Sequence, residues 1–419
     1  MLSGQLVDRV RHRLATAGAA VTPGAVAAAV RAESDGVLAD LQVLSALREL
    51  QQELVGAGPL EPLLADPETT DVLVNAPDQV WVEQAGELRR TEVRFADTDA
   101  VRRLAQRLAL AAGRRLDDAS PYVDAPLPGG VRLHAVLPPI TTGCTCISLR
   151  VLRPTTHGLD ALQEVGSVSP EAGRLLRAIV TARLAFLVVG GTGSGKTTLL
   201  AALLGCVPAD ERIVCVEEAP ELAPGHPHVV RLTTRAPNVE GVGEVTLRDL
   251  VRQALRMRPD RLVVGEVRGA EVCELLAALN TGHQGGAGTL HANSPAEVPA
   301  RLEALAALGG MARHALHSQL AAAVHVVLHV VRRDGARGLA AVGVLQRDGE
   351  LVRVLPAWQD GRWGPGRQRL HDLLDGAHLV GSADGSRCVG SADGSRFVGS
   401  ADGSRFVSSA DGQGGGAAC

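Results

Sequence analysis

The stretch Gly190-Gly-Thr-Gly-Ser-Gly-Lys-Thr197 limits the possible folds more than any other part of this 419-residue chain. It satisfies G-x-x-x-x-G-K-[ST], follows the apolar run Leu184 to Val189, and precedes the helix-forming Thr198-Leu-Leu-Ala-Ala-Leu-Leu204. Glycines at such a turn let successive backbone N–H groups point at one anion, and a helix starting there adds the positive end of its dipole. The spacing predicts a strand, loop and helix cradling phosphate through Gly190, Gly191, Thr192, Gly193, Ser194, Gly195, Lys196, Thr197 and Thr198. Lys196 is placed to reach the β and γ phosphates of ATP, and Thr197 to hold Mg²⁺. Lys196 is also the only lysine among 42 lysines and arginines, so the chain's single side-chain ammonium sits at this loop.

Around the loop, strands and helices are expected to alternate. Strands are predicted at 186–189, 213–217, 229–233, 262–266, 288–291 and 324–331, and helices from 196 and at 246–257, 269–280, 295–307 and 311–322. Two short strands, 339–346 and 351–357, end the folded part. This alternation implies an α/β fold with a mostly parallel sheet covered on both faces. Hydrolysis needs a carboxylate at the end of an apolar strand to order the attacking water, and Arg261-Leu-Val-Val-Gly-Glu266 supplies Glu266 as the candidate base. Gly265 stands where many phosphate-loop proteins carry Asp. Glu217 and Glu218, which end the adjacent apolar strand, are the carboxylates available to complete a Mg²⁺ shell. Thr281-Gly-His283 and Thr289-Leu-His291-Ala-Asn293 bracket a turn and a strand, which is read as placing His283 and His291 near one sheet edge. His314, His317, His325 and His329 are read as structural.

The remainder divides by pattern. Residues 1–57 carry helical apolar spacing, as in Val37, Leu38, Leu41, Leu44 and Leu47, and read as a helical arm. Residues 58–155 read as a smaller α+β domain, with strands near 71–75, 80–83, 131–137 and 146–152 and a helix near 99–112. A linker at about 154–169 leads into the ATPase-like part, 156–376. Residues 377–419 contain the nine-residue repeat Gly-Ser-Ala-Asp-Gly-Ser-Arg-(Cys or Phe)-Val and are expected to be a disordered tail.

Composition excludes several classes. The balance of 46 acidic against 42 basic residues gives a net charge of −4, and aromatic residues are 2% of the chain, which argues against a nucleic-acid binder built on charge and stacking. Seven cysteines form no Cys-x-x-Cys pair and fit buried thiols in a reducing compartment. Met1 to Leu14 lacks the apolar core of a signal peptide, and no run of about 18 apolar residues occurs, so a cytoplasmic chain without a membrane span is expected.

Beyond the phosphate loop, Val214-Cys-Val-Glu-Glu-Ala-Pro-Glu-Leu222, Arg256-Met-Arg-Pro-Asp-Arg261, Val264-Gly-Glu-Val-Arg-Gly269 and Thr289-Leu-His-Ala-Asn-Ser294 occur in a fixed order. With them the chain resembles the ATPases of type II and type IV secretion and pilus assembly, most of all the Tad/CpaF type of Flp-pilus systems, over about residues 59–356. The resemblance implies a RecA-like P-loop ATPase core with a smaller N-terminal domain. It places Glu217, Glu218 and Glu221 in the family's acidic box, where Glu218 replaces the usual Asp. Gly265-Glu266 falls on the family's Walker B, and His283 and His291 on its His box, the second implied to sense the γ-phosphate. Arg132 and Arg150 resemble the family's N-terminal arginines that clamp nucleotide, although Ala125-Pro-Leu-Pro-Gly-Gly130 departs from the usual Ala-Arg-Leu-Pro-Asp-Gly. Arg231 and Arg235 match a stretch that is either phosphate-sensing or structural. The family implies a homo-hexamer pushing on an inner-membrane platform protein to drive pilus assembly or secretion. A retraction or conjugative DNA-transfer motor is the alternative of the same fold, and a nucleotide-dependent regulatory module without turnover is the alternative of another class.

Overall fold

The computed structural model describes residues 56–152, 157–238, 240–333 and 335–384, with side chains to 376, and residues 9, 13, 28, 29 and 32. Apart from those five residues and 56–57, the expected N-terminal arm lies outside the described residues, as do the repeats from 385 onward.

The first sheet opens with a short helix α1 (Glu61–Ala65) and the strands β1 (Thr69–Ala76), β2 (Gln79–Gln84) and β3 (Glu87–Arg90). The helix α2 (Thr98–Ala111) follows, and β4 (Tyr122–Leu127), β5 (Val131–Val136) and β6 (Cys146–Val151) complete an antiparallel sheet in the order β3-β2-β1-β6-β5-β4. Its strands alternate: Val72, Val74, Leu133, Ala135, Ile147 and Leu149 are buried, and they pack with Val101, Leu104, Ala105 and Leu108 of α2. Each of the Val, Leu and Ile side chains among them contributes about 1.5–3 kcal/mol on burial. The Asp97 carboxylate caps α2 by accepting from Ala100 N at 2.7 Å. The opposite face carries Arg132 and Arg150, which are cross-strand partners on β5 and β6.

Sequence reading missed β3 and β4 for identifiable reasons. β3 is wholly exposed, so it shows no apolar alternation, and the turn Ala85-Gly86, both at positive φ, fixes it. β4 contains Pro126, which is tolerated because β4 is an edge strand.

The second sheet follows two helices, α3 (Leu159–Glu164) and α4 (Pro170–Thr181). The expected linker at 154–169 is corrected here: Leu159 and Leu162 of α3 are buried in the core, so most of that stretch is packed structure. In chain order come β7 (Phe186–Val189), α5 (Lys196–Leu204), β8 (Ile213–Glu217), β9 (Val229–Thr233), α6 (Leu247–Ala254), β10 (Arg261–Val267), α7 (Val272–Asn280), β11 (Ala287–Leu290), α8 (Val298–Leu308), α9 (Arg313–Ala323) and β12 (Val326–Arg333). The antiparallel strands β13 (Ala336–Asp348), β14 (Leu351–Gln359) and β15 (Arg362–Trp363) and the helix α10 (Arg367–Asp384) close the chain's described part.

The order is β15-β14-β13-β12-β7-β11-β10-β8-β9, parallel from β12 to β9. β7, β8 and β11 are buried at every residue, as befits strands covered on both faces. One core cluster holds α3, α4, α5 and α10 against the sheet, and the other holds α6 to α9. The helix α10 runs past 377, where the tail is expected to begin, and its Leu370 and Leu374 pack into the first cluster.

Candidate active site

In a parallel sheet of this kind the ligand crevice lies at the carboxyl ends of the strands. Register places four functional positions there. β7 and β11 pair in parallel with Val189 beside Leu290, so Gly190 and His291 leave the sheet side by side. β10 and β8 pair with Val264 beside Val216, which brings Glu266 to the same edge as Glu217 and Glu218.

The loop geometry follows from its glycines. Gly193 and Gly195 adopt φ of 69° and 96°, and Gly195 is the residue from which α5 starts. A Cβ on Gly190 would stand 2.2 Å from Val330 O, so that position admits no side chain. Lys196 is buried, and its Nζ donates to Gly191 O at 2.8 Å and Gly190 O at 3.1 Å. Burial lowers its proton affinity, an effect that Glu266 partly opposes.

From Lys196 a polar chain crosses the edge. His291 Nδ1 is 3.5 Å from Lys196 Nζ, and His291 Nε2 is 2.7 Å from Glu266 Oε1. Burial, then the ammonium, pushes the His291 pKa down, so the neutral ring faces Lys196 with Nδ1. The other oxygen, Glu266 Oε2, accepts from Arg268 Nη2 at 2.5 Å, and Arg268 Nη1 reaches Glu218 Oε2 at 2.9 Å.

Glu217 is the buried acid of the group. Its Oε1 accepts from Glu221 N at 3.0 Å and Leu222 N at 2.8 Å, while Oε2 is buried with no hydrogen-bond partner. Burial raises its pKa to about 7. Gly265 makes room for it: a Cβ there would stand 2.8 Å from Glu217 Cγ. The carboxylate of β8 thus fills the space that a side chain on β10 would need.

Glu217, Glu218, Gly265, Glu266 and Arg268 line an open pocket of about 360 Å³ with Thr197, Ala219, Glu221 and, from the first sheet, Arg132. Among the described residues no three His, Cys, Asp or Glu side chains form a metal cluster. The orphan Glu217 oxygen beside Thr197 does fit a hard cation that takes most of its ligands from phosphate and water, which is the habit of Mg²⁺.

Several expected residues are placed differently. Arg132 lines the pocket and holds Asp124 through both carboxylate oxygens, at 2.8 and 2.7 Å. Arg150 stands one strand over, pairs with Asp71 at 3.1 Å and does not line the pocket. His283 and His291 do not share a sheet edge. His283 precedes β11, its Nδ1 3.2 Å from Ala278 O, so about 13 Å of strand separates it from His291. Arg231 donates to Leu222 O at 3.2 Å and Arg235 to Gly243 O at 2.8 Å, and both brace backbone. Arg268 was missed as a site residue, although Glu266-Val-Arg268 in an extended strand puts two side chains on one face.

Comparison with known proteins agrees with this geometry. A protein of Mycobacterium tuberculosis named for conjugal transfer is 65% identical over 346 residues, covering 81% of this chain and 98% of its own. The type IV secretion system protein PtlH homolog of Bordetella bronchiseptica is 33% identical over 321 residues, covering 69% and 94%. Among solved structures, the pilus retraction motor PilT with bound ADP matches with a TM-score of 0.50 at 19% identity, over 78% of this chain and 88% of that one, a likeness of fold. The sequence profile of the type II/IV secretion system proteins matches residues 53–353, and the chain is therefore a member of that family, with a RecA-like ATPase core.

Proposed function

We propose that the chain hydrolyses Mg²⁺-ATP at the carboxyl edge of its parallel sheet and uses the turnover to drive secretion or pilus assembly. The observation that carries this reading is the convergence of Lys196, His291, Glu266 and Glu217 on the loop that begins at Gly190. The backbone N–H groups of the loop and the start of α5 receive the β and γ phosphates, and Lys196 exchanges its loop carbonyls for phosphate oxygens. Thr197 and Glu217 would hold Mg²⁺, which supplies charge neutralisation between the phosphates.

Glu266 orients a water whose oxygen bonds to the γ-phosphorus as the bond to the bridging oxygen breaks; the carboxylate takes the proton and ADP and phosphate remain. His291 reports loop occupancy to Glu266 through its two ring nitrogens, and Arg132 brings the first sheet onto the pocket as a clamp. Arg150 and His283, outside this pocket, have no role in this reading. We place the motor in the cytoplasm as a homo-hexamer that acts on a membrane-bound platform protein. No helix among the described residues is long and apolar enough to cross a membrane, which is compatible with docking through a partner.

The test is phosphate release by the purified chain. Glu266→Gln should retain ATP binding and lose turnover by about 10²–10⁴-fold. Hydrolysis near the wild-type rate would exclude Glu266 as the base.

A further inference from the structure

On the other side of β7 from Glu266 lies a second opening, of about 610 Å³, that the reading above leaves unused. One wall is Gly195 and Thr198 at the start of α5, and the other is Leu162, Val168 and Leu339. Its rim carries Arg337 of β13, whose Cδ lies 3.5 Å from the position a Cβ on Gly195 would take.

The hairpin of β12 and β13 explains how the arginine gets there. Val330 pairs with Leu339 and Arg332 with Arg337, and with a side-chain period of two these four share one face. The apolar floor of the opening therefore runs outward into two guanidinium groups. Like charges placed directly across a ladder are destabilising. Among the described residues, no carboxylate pairs with either arginine, whereas Arg132 and Arg150 each hold one and Arg268 holds two. Arg332 is drawn off toward Gly86, its Nη2 2.8 Å from where a Cβ on that glycine would stand. Arg337 is left as an unneutralised cation over a glycine of the loop, beside an apolar opening.

A nucleotide has the matching chemistry: a flat apolar base, and an α-phosphate one link behind the phosphates held by Lys196. We propose that Arg337 pairs with the α-phosphate and that the opening beneath it takes the base. The assignment rests on the ATP reading above and extends it to the nucleoside end. Its chemistry is charge-assisted hydrogen bonding from a fork of donors, which suits a phosphate better than a point ammonium does.

The test uses the full chain and displacement of a fluorescent ADP analogue by ADP. Arg337→Gln should weaken ADP binding at least about tenfold, the loss expected for one hydrogen-bonded charge pair, and Arg337→Lys should recover part of it. In steady-state hydrolysis the rise in KM for ATP should exceed the fall in kcat, because the contact is made equally in the ground and transition states. Added salt should weaken ADP binding more in the wild type than in Arg337→Gln. Equal ADP affinity in the wild type and Arg337→Gln, with unchanged melting temperatures, overturns the proposal. If the wild type itself binds no ADP, it is the ATP reading that fails. Should Arg337→Gln not fold, Arg337→Lys decides alone: an affinity equal to the wild type overturns the assignment, and a loss of severalfold supports it.

Discussion

Gly265→Ala is the substitution whose effect the structure specifies most closely. The added methyl would lie 2.8 Å from Glu217 Cγ and 3.3 Å from Glu217 Oε1. Carbon atoms settle at about 3.5–4.0 Å, so the Glu217 side chain must retreat by roughly 1 Å. It has no free direction of retreat, because Oε1 is held by the N–H groups of Glu221 and Leu222. Overpacking and the weakening of those two bonds together cost about 1–3 kcal/mol. Across a chain of this size that lowers the melting temperature by about 1–4 °C, measurable by circular dichroism. The cause can be isolated with Glu217→Ala, which keeps only the Cβ, 3.5 Å from the new methyl and in ordinary contact. In that background Gly265→Ala should cost less than about 0.5 kcal/mol. An equal penalty in both backgrounds would refute the claim that Gly265 is required by Glu217.

Two further outcomes concern the frame around the site. Arg261 is almost fully buried and pairs with Glu211, while also donating to Val180 O and Gly285 O. Arg261→Met should destabilise the chain by about 3 kcal/mol in a denaturant titration, since it leaves the buried Glu211 carboxylate with the half-exposed Arg183 as its remaining ion-pair partner among the described residues, and Arg261→Met with Glu211→Leu should recover part of that. The Glu303 carboxyl is held below its ordinary pKa by His317 first and then Arg313. Its contribution is present above the unfolded value near the ordinary carboxylate range and is lost as pH falls through the lowered folded value. Glu303→Gln should therefore flatten the acid side of the stability profile and leave its slope above neutrality unchanged.

The parts of this molecule legible in sequence are those where one local pattern suffices. β7 and β8 fall where unbroken apolar runs predict them, because buried parallel strands need no alternation to be recognised. The phosphate loop is legible because its glycines, lysine and threonine are contiguous. Glu266 and Glu217 were found as ends of apolar strands, but their convergence depends on β11 and β10 lying between β7 and β8, an order no local signal carries. The same limit explains His283, judged near His291 by proximity in sequence although β11 carries the chain the length of the sheet between them. Arg268 and Arg337 were passed over because a surface arginine in sequence looks the same whether it faces water or a phosphate loop. The helix α10 was hidden by the glycine at 376 and the repeat beginning nearby, while Leu370 and Leu374 carry its packing signal in two residues.

The burial of Lys196 has a practical corollary. An acylating reagent meets one lysine side chain in the whole chain, and it lies within the phosphate loop. With its proton held less tightly than a surface lysine's, that amine is more often in its nucleophilic form at a given pH. Mass spectrometry of a single modified peptide can then follow loop occupancy in the native protein, with no reporter group attached.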